Sequence, residues 1–285
     1  MTTLTPSEFG VTQAIQIGDV KYPLYDLSKL RAGLLFTENV PPEIQENVNY
    51  SLNNINSRLE VSSNIIDEPV AIVGYGPTLK EYWPKLKEYK HIISTSGAHK
   101  FLLDRDIVPT YHVDIDFRER KAVHTKEPHP DVQYLFGSIV HKATLDNVLS
   151  RGYPMKLWHI KLPGIKYPDN EVVLEGYWDV GQEAILVAKA LGYRNLHLFG
   201  YDYAYEVETG STHAGFHNGP PNLRVFAKIG ERYYQTSDSL ARGVMVFTKL
   251  MEDNSDLSLT IHGQGLLSSY LDYHFKSNDA RQLKE

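Results

Sequence analysis

From Pro69 onward the chain alternates short apolar runs, several closed by glycine, with segments of helical periodicity, and this succession restricts the fold most. VAIVG (70–74), HIISTSG (91–97), TYHVDID (110–116), VQYLFG (132–137), KLWHIKL (156–162) and NLHLFG (195–200) read as buried strands. Between them, PTLKEYWPKLKEY carries Leu79, Tyr82 and Leu86 at helical spacing, and GQEAILVAKALGY is the cleanest helix. A helix over about 236–252, the strand LSLTIHG and a turn-plus-helix at GLLSSYL complete the pattern. The reading is an α/β fold: a Rossmann-like, mostly parallel sheet with helices on both faces and ligands at the carboxyl ends of its strands.

Residues 1–67 differ, and they read as an N-terminal extension packed on a catalytic domain over 68–285. PPEIQENVNYSLNNINSRLEV spaces Ile44, Val48, Leu52, Ile55 and Leu59 at helical intervals after a proline, which predicts one amphipathic helix. At 285 residues the chain buries enough surface to need no metal or disulfide for its core. The absence of cysteine removes thiol nucleophiles and thiolate zinc sites. No run reaches the ~20 apolar residues of a membrane helix, and MTTLTPSEFG lacks the marks of a signal peptide. A soluble, cytoplasmic protein is therefore expected.

Four segments carry chemistry. In IVGYGPTLKEY, Gly74 and Gly76 permit a tight turn and close ligand approach, Pro77 opens a helix, and the free N–H groups there suit phosphate. The third glycine of the dinucleotide fingerprint is Leu79, and the Walker lysine is missing. In HVDID, Asp114 and Asp116 stand at i and i+2, so an unbroken strand aims both carboxylates at one spot, where Mg²⁺ or Mn²⁺ would relieve their repulsion. The alternative is a turn whose acids Arg118 and Arg120 neutralise. LFGYDYAYEVETGSTHAGFHNG hangs a glycine-rich loop with His213 and His217 from a strand's end, and a histidine there suits general base chemistry. The fourth is GYWDVGQEAILVAKALGY, in which Asp179 caps a helix opened by Gly181.

Taken in order, GYGPTLKEY, HVDID, ALGYRNLHLFGYDYAY and the THAG loop resemble the 6-hydroxymethylpterin diphosphokinase MptE-like family, which includes motility-associated glycosyltransferase-like proteins. The layout over 69–271 is also similar to bacterial sialyltransferases, with Asp179-Val180-Gly181 in place of their Thr-Ser-Gly and Asp114 in place of an asparagine. The resemblance implies a nucleotide-binding domain and transfer from an activated nucleotide. It sets Gly74, Gly76, Pro77 and Thr78 against the phosphates, with Ser96, Asp114 and Gly181 close to the nucleotide. It also implies phosphate contacts from Tyr203 and Tyr205, and a role for His213.

The leading expectation is a glycosyltransferase moving a sugar from a nucleotide-sugar to an acceptor hydroxyl. Asp114 and Asp116 would hold the metal, Asp116 acting in catalysis, and His213 or His217 would be the base. The acceptor and the oligomeric state stay open. A net charge of −6 disfavours a nucleic-acid acceptor, which would need a groove of Lys80, Lys85, Lys87, Arg118, Arg120 and Lys121. The alternatives are a pterin diphosphokinase drawing pyrophosphate from ATP, with Trp178 stacking the pterin, and a non-catalytic nucleotide-binding protein.

Overall fold

The computed structural model describes residues 13–28, 40–215 and 224–275. The chain begins with a hairpin of β1 (Gln13–Ile17) and β2 (Val20–Asp26), turned by Gly18 at φ +59°. Helix α1 (Pro42–Asn54) follows, and it buries Ile44, Val48 and Ser51. The helical stripe expected to reach Leu59 stops at Asn54. Ile55 and Leu59 are nonetheless buried, on extended chain that bridges Arg58 to Leu157.

The expected strands then appear in order: β3 (Val70–Val73), β4 (His91–Thr95), β5 (Tyr111–Asp114), β6 (Gln133–Gly137) and β7 (Met155–Ile160). They are followed by the short β8 (Val173–Leu174) and by β9 (Asn195–Phe199). Between them run α2 (Leu79–Tyr82), α3 (Ala98–Leu103), α4 (Lys142–Leu149) and α5 (Val180–Ala190). The single helix expected over PTLKEYWPKLKEY is α2 followed by a 3₁₀ segment, Trp83–Glu88, because Pro84 cannot donate the hydrogen bond that continues an α-helix. The remaining elements are β10 (Arg224–Ile229), β11 (Arg232–Ser237), α6 (Asp238–Asp253), β12 (Ser258–His262) and α7 (Leu266–Phe275).

Eight strands form a parallel sheet in the order β12-β9-β3-β4-β5-β6-β7-β8. Alternation divides its side chains: Val70 and Ile72 join one core with α5, α6 and α7, while Ala71 and Val73 meet Leu79, Phe101 and Leu102 on the other face. All four are fully buried, as a sheet covered on both faces requires. Helix α5 lies against β3, β4 and β5 and is buried nearly all round.

A second sheet, ordered β1-β2-β10-β11, adds strands to what had read as a helical N-terminal extension. β2 pairs in parallel with β10, and Val225, Ala227 and Ile229 of β10 enter the same core as α6 and α7. Residues before 67 are thus tied to the last third of the chain. Among the described residues, no helix is long and apolar enough to cross a membrane.

Candidate nucleotide site at the carboxyl edge of the large sheet

β3 and β9 are neighbours, yet the chain leaves β3 toward β4 and leaves β9 toward β12, on opposite sides. Ligands of open α/β sheets bind in the crevice outside such a switch point. Here two matching turns meet: Gly74-Tyr75-Gly76 after β3 and Gly200-Tyr201-Asp202 after β9. Gly74 N–H donates to Phe199 O at 2.8 Å, and Gly76 N–H donates to Gly200 O at 2.9 Å. A Cβ on Gly74 would stand 2.8 Å from Gly200 O, so the glycine is required by contact between two main chains.

Asp202 ties the crevice together. Its Oδ2 accepts the Thr78 N–H at 3.2 Å, and its carbonyl accepts the Leu266 N–H at the start of α7. The side chain is buried, which pushes its pKa up to about 6 although the Thr78 hydrogen bonds act the other way. Gly74, Gly76 and Thr78 therefore lie in the expected crevice with Pro77 between them, but all three amides have acceptors within the protein. A carboxylate stands where a phosphate was expected. Asp202 lies in LFGYDYAYEVETGSTHAGFHNG, whose expected site residues were Tyr203, Tyr205, His213 and His217. Its available signal was position: it stands two residues past a strand-ending glycine, as Gly76 does.

The THAG loop folds back over this edge. Ala214 N–H donates to Tyr75 O at 2.9 Å, and the His213 ring lies 5.6 Å from that of Tyr75. His213 Nδ1 is 2.7 Å from Thr212 Oγ1, and the Ser211 hydroxyl donates to His213 O. Tyr75 lies against Gly97, where a Cβ would meet its ring at 2.4 Å, and so links His213 to the turn after β4. In that turn Ser96 holds a left-handed φ of +42°, and Tyr203 holds +54°. Non-glycine residues bear such strain chiefly at functional edges. His217 lies outside the described residues.

Gly181 and Tyr203 belong to the floor. A Cβ on Gly181 would press Tyr201 Cε1 at 2.9 Å, and the Tyr201 hydroxyl donates to Gly181 O. The buried Tyr203 hydroxyl donates to Asp179 Oδ2 at 2.7 Å, and Asp179 Oδ1 accepts the Gln182 N–H that caps α5. Burial pushes the Asp179 pKa up. Tyr205 is held to the second sheet by its N–H to Gln235 O and by the Arg224 guanidinium over its ring. Trp178 donates from its indole to Ser239 Oγ. The Tyr203 hydroxyl, expected on a phosphate, is thus given to Asp179, whereas Tyr205 is fixed through its main chain and ring.

At β5 the two carboxylates take different partners. Asp114 Oδ1 accepts the Ile115 and Asp116 N–H groups at 2.8 and 3.0 Å, which ends the strand in a turn. Burial and the neighbouring Asp116 push its pKa up to about 7. Asp116 is half-buried, and burial alone would raise its pKa. The Arg118 guanidinium, bonded to both oxygens at 2.8 and 2.5 Å, holds it below the usual range. Asp116 is thus given to Arg118 through both oxygens and Asp114 Oδ1 to two amides, while Asp114 Oδ2 is buried without a hydrogen-bond partner among the described residues. A metal shared by the two acids would have to displace Arg118. No group of three or more His, Asp or Glu side chains able to hold a metal ion occurs among the described residues.

A family model described as 6-hydroxymethylpterin diphosphokinase MptE-like matches residues 37–208. Among solved structures, the chain is similar to the MAf glycosyltransferase from Magnetospirillum magneticum AMB-1, at 19% identity and a TM-score of 0.58. That match covers 84% of this chain and 39% of the other, so this chain spans about two fifths of that protein's length. A mammalian sialyltransferase in complex with Gal-beta-1-3GalNAc-ortho-nitrophenol is 15% identical with a TM-score of 0.35, over 82% of this chain and 91% of its own. No curated protein matches. The likeness to the MAf glycosyltransferase is one of fold.

Proposed function

The chain belongs to the 6-hydroxymethylpterin diphosphokinase MptE-like family, and on that premise we propose that it is a transferase moving a sugar from a nucleotide-sugar to an acceptor hydroxyl. One observation carries the reading: the switch point between β3 and β9 sits beneath a loop that brings His213 against Tyr75, beside the glycine turn. A nucleotide in the crevice would thus have a titratable ring next to it.

In the tautomer protonated on Nδ1, His213 donates to Thr212 Oγ1, and Nε2 is then the basic nitrogen of the ring, the atom to which this reading assigns the proton of the acceptor hydroxyl. The acceptor oxygen forms its bond to the anomeric carbon as the bond from that carbon to the nucleotide's phosphate oxygen breaks. The nucleotide leaves with the electron pair. The pairing of Asp116 with Arg118 favours a reaction without a metal held by HVDID.

The family's description favours a second reading, pyrophosphoryl transfer from ATP to a hydroxymethylpterin. Such transfer depends on cations to neutralise phosphate charge, and the committed carboxylates at β5 count against it. Thermal shift against UDP-, GDP- and CMP-sugars, and against ATP with 6-hydroxymethylpterin and Mg²⁺, separates the two. A ligand at 100 times its Kd stabilises by about 2.7 kcal/mol. Stabilisation by a sugar nucleotide is the expected outcome. Stabilisation by ATP and pterin alone would replace this reading with the second.

A further inference from the structure

A cleft of about 590 Å³ opens at the carboxyl ends of β5 and β6, two to three strands from the switch point. It lies inside the size range of small-molecule sites, ~300–1,000 Å³. We propose that this cleft is the acceptor subsite and that it takes a neutral, polyhydroxylated ligand of the carbohydrate class. The proposal rests on the glycosyl-transfer reading and deepens it.

The cleft is a built feature. One wall is α1, which turns Ile44, Val48 and Ser51 inward and gives Glu43, Glu46 and Tyr50 to the cleft. Asn47 fixes that wall to both strand-end loops, its amide donating to Phe117 O and Ile139 O at 3.3 and 3.1 Å. Ser51 adds a hydrogen bond to Ser138 O at 2.9 Å. The helix therefore cannot shift without breaking bonds to the segments after β5 and β6.

The lining chemistry selects the ligand. Phe117 and Tyr50 are aromatic and only partly packed on the core, and the Tyr50 hydroxyl is engaged by Asp146 at 2.6 Å, so the part of its ring that lines the cleft is what an apolar sugar face would meet. His141 Nδ1 accepts the Ala143 N–H at 3.2 Å, which places the neutral ring's proton on Nε2 and makes that atom a donor. Glu43, Glu46 and Glu119 supply acceptors for hydroxyl groups. Against these three carboxylates stand Lys142 and Arg118, and Arg118 is already paired with Asp116. The excess of negative charge repels phosphate, sulfate and carboxylate, so the cleft is unsuited to the nucleotide and to acidic acceptors. With strands ~4.8 Å apart, the cleft stands on the order of 10–15 Å from the crevice beside β3, on the same edge of the sheet.

The test is an array of neutral, sialylated and sulfated oligosaccharides probed with the full chain and with a Glu43→Lys/Glu46→Lys variant, beside a nucleotide-sugar thermal shift on both proteins. Both glutamates are exposed, so the variant keeps the fold. Neutral oligosaccharides should be retained in preference to acidic ones, with at least a tenfold loss in the variant and an unchanged nucleotide shift. Equal retention of acidic oligosaccharides, an unaltered variant, or no neutral binding by a protein that does respond to nucleotide-sugars would overturn the subsite. A missing nucleotide shift alongside neutral binding lost in the variant would instead overturn the transfer reading and uphold the cleft.

Discussion

Gly76 and Asp202 stand so close that a Cβ added to the glycine would lie 2.1 Å from the carboxylate Oδ2, with Gly200 O only 2.5 Å away on the same side. Gly76→Ala must therefore displace main chain as well as a side chain. A loss of about 1–3 kcal/mol is expected, by the usual cost of overpacking. Urea denaturation of the variant checks it, and an unchanged midpoint would mean the two turns are not locked together.

The part of the stability that depends on the buried acids should fall as pH rises from about 4.5 to 8. Above about 6.5 it sets the trend, because the buried His99 and His262, held down to about 3 and 4, act with the opposite sign only while they are protonated in the unfolded chain. Burial pushes the Glu183 pKa up to about 8, partly opposed by the Tyr177 N–H bonded to Oε1. Its Oε2 is buried with no hydrogen-bond partner among the described residues. An acid with a raised folded pKa binds more protons folded than unfolded, so its contribution is complete below the unfolded value and is lost through the folded one. Asp202 and Asp114, raised to about 6 and 7, act with the same sign. Each tenfold change in proton affinity is worth about 1.4 kcal/mol. Glu183→Gln copies the protonated form and should gain more than ~1 kcal/mol at pH 9 while changing little at pH 4. Denaturation across that range would show it.

Chelation should leave nucleotide binding untouched. Both Asp116 oxygens are held by Arg118, and Asp114 Oδ1 by two amides. The thermal shift given by a sugar nucleotide should be the same with EDTA as with Mg²⁺. A shift that vanishes with EDTA and returns with Mg²⁺ or Mn²⁺ would restore the metal to HVDID.

His213→Ala should lower turnover of a nucleotide-sugar by ~10²–10⁴-fold, the usual worth of a general base. The ring stands at the edge of the crevice, so the nucleotide-induced shift should survive. Loss of the shift with turnover intact would assign His213 to binding.

The large sheet was legible because strands buried on both faces must be apolar throughout, which marks VAIV and the YLF of VQYLFG against the helices between them. The small sheet was not. QAIQIGDVKYPLYD and RVFAKIGERYYQTS carry a usable signal, a glycine opening a two-residue turn between alternating runs, and both glycines have φ near +60°. HVDID left two readings open for a different reason, and the turn with Asp116 on Arg118 is the one formed. Residues i and i+2 share a face only while the strand continues, and β5 stops at Asp114, whose own carboxylate bends the chain. The role of Asp202 depends on a neighbour more than a hundred positions away, Thr78, and local pattern does not carry such information.

The parallel pairing of β2 with β10 also has a consequence for biosynthesis. Leu24 faces Phe226, so roughly 200 residues leave the ribosome before the early hairpin meets its partner, ~10–40 s at ~5–20 residues per second. Throughout that interval one rim of the nascent hairpin is bare and open to mispairing with other nascent chains. Synthesis therefore exposes this protein to aggregation early, and arrival of the segment containing β10 ends the exposure.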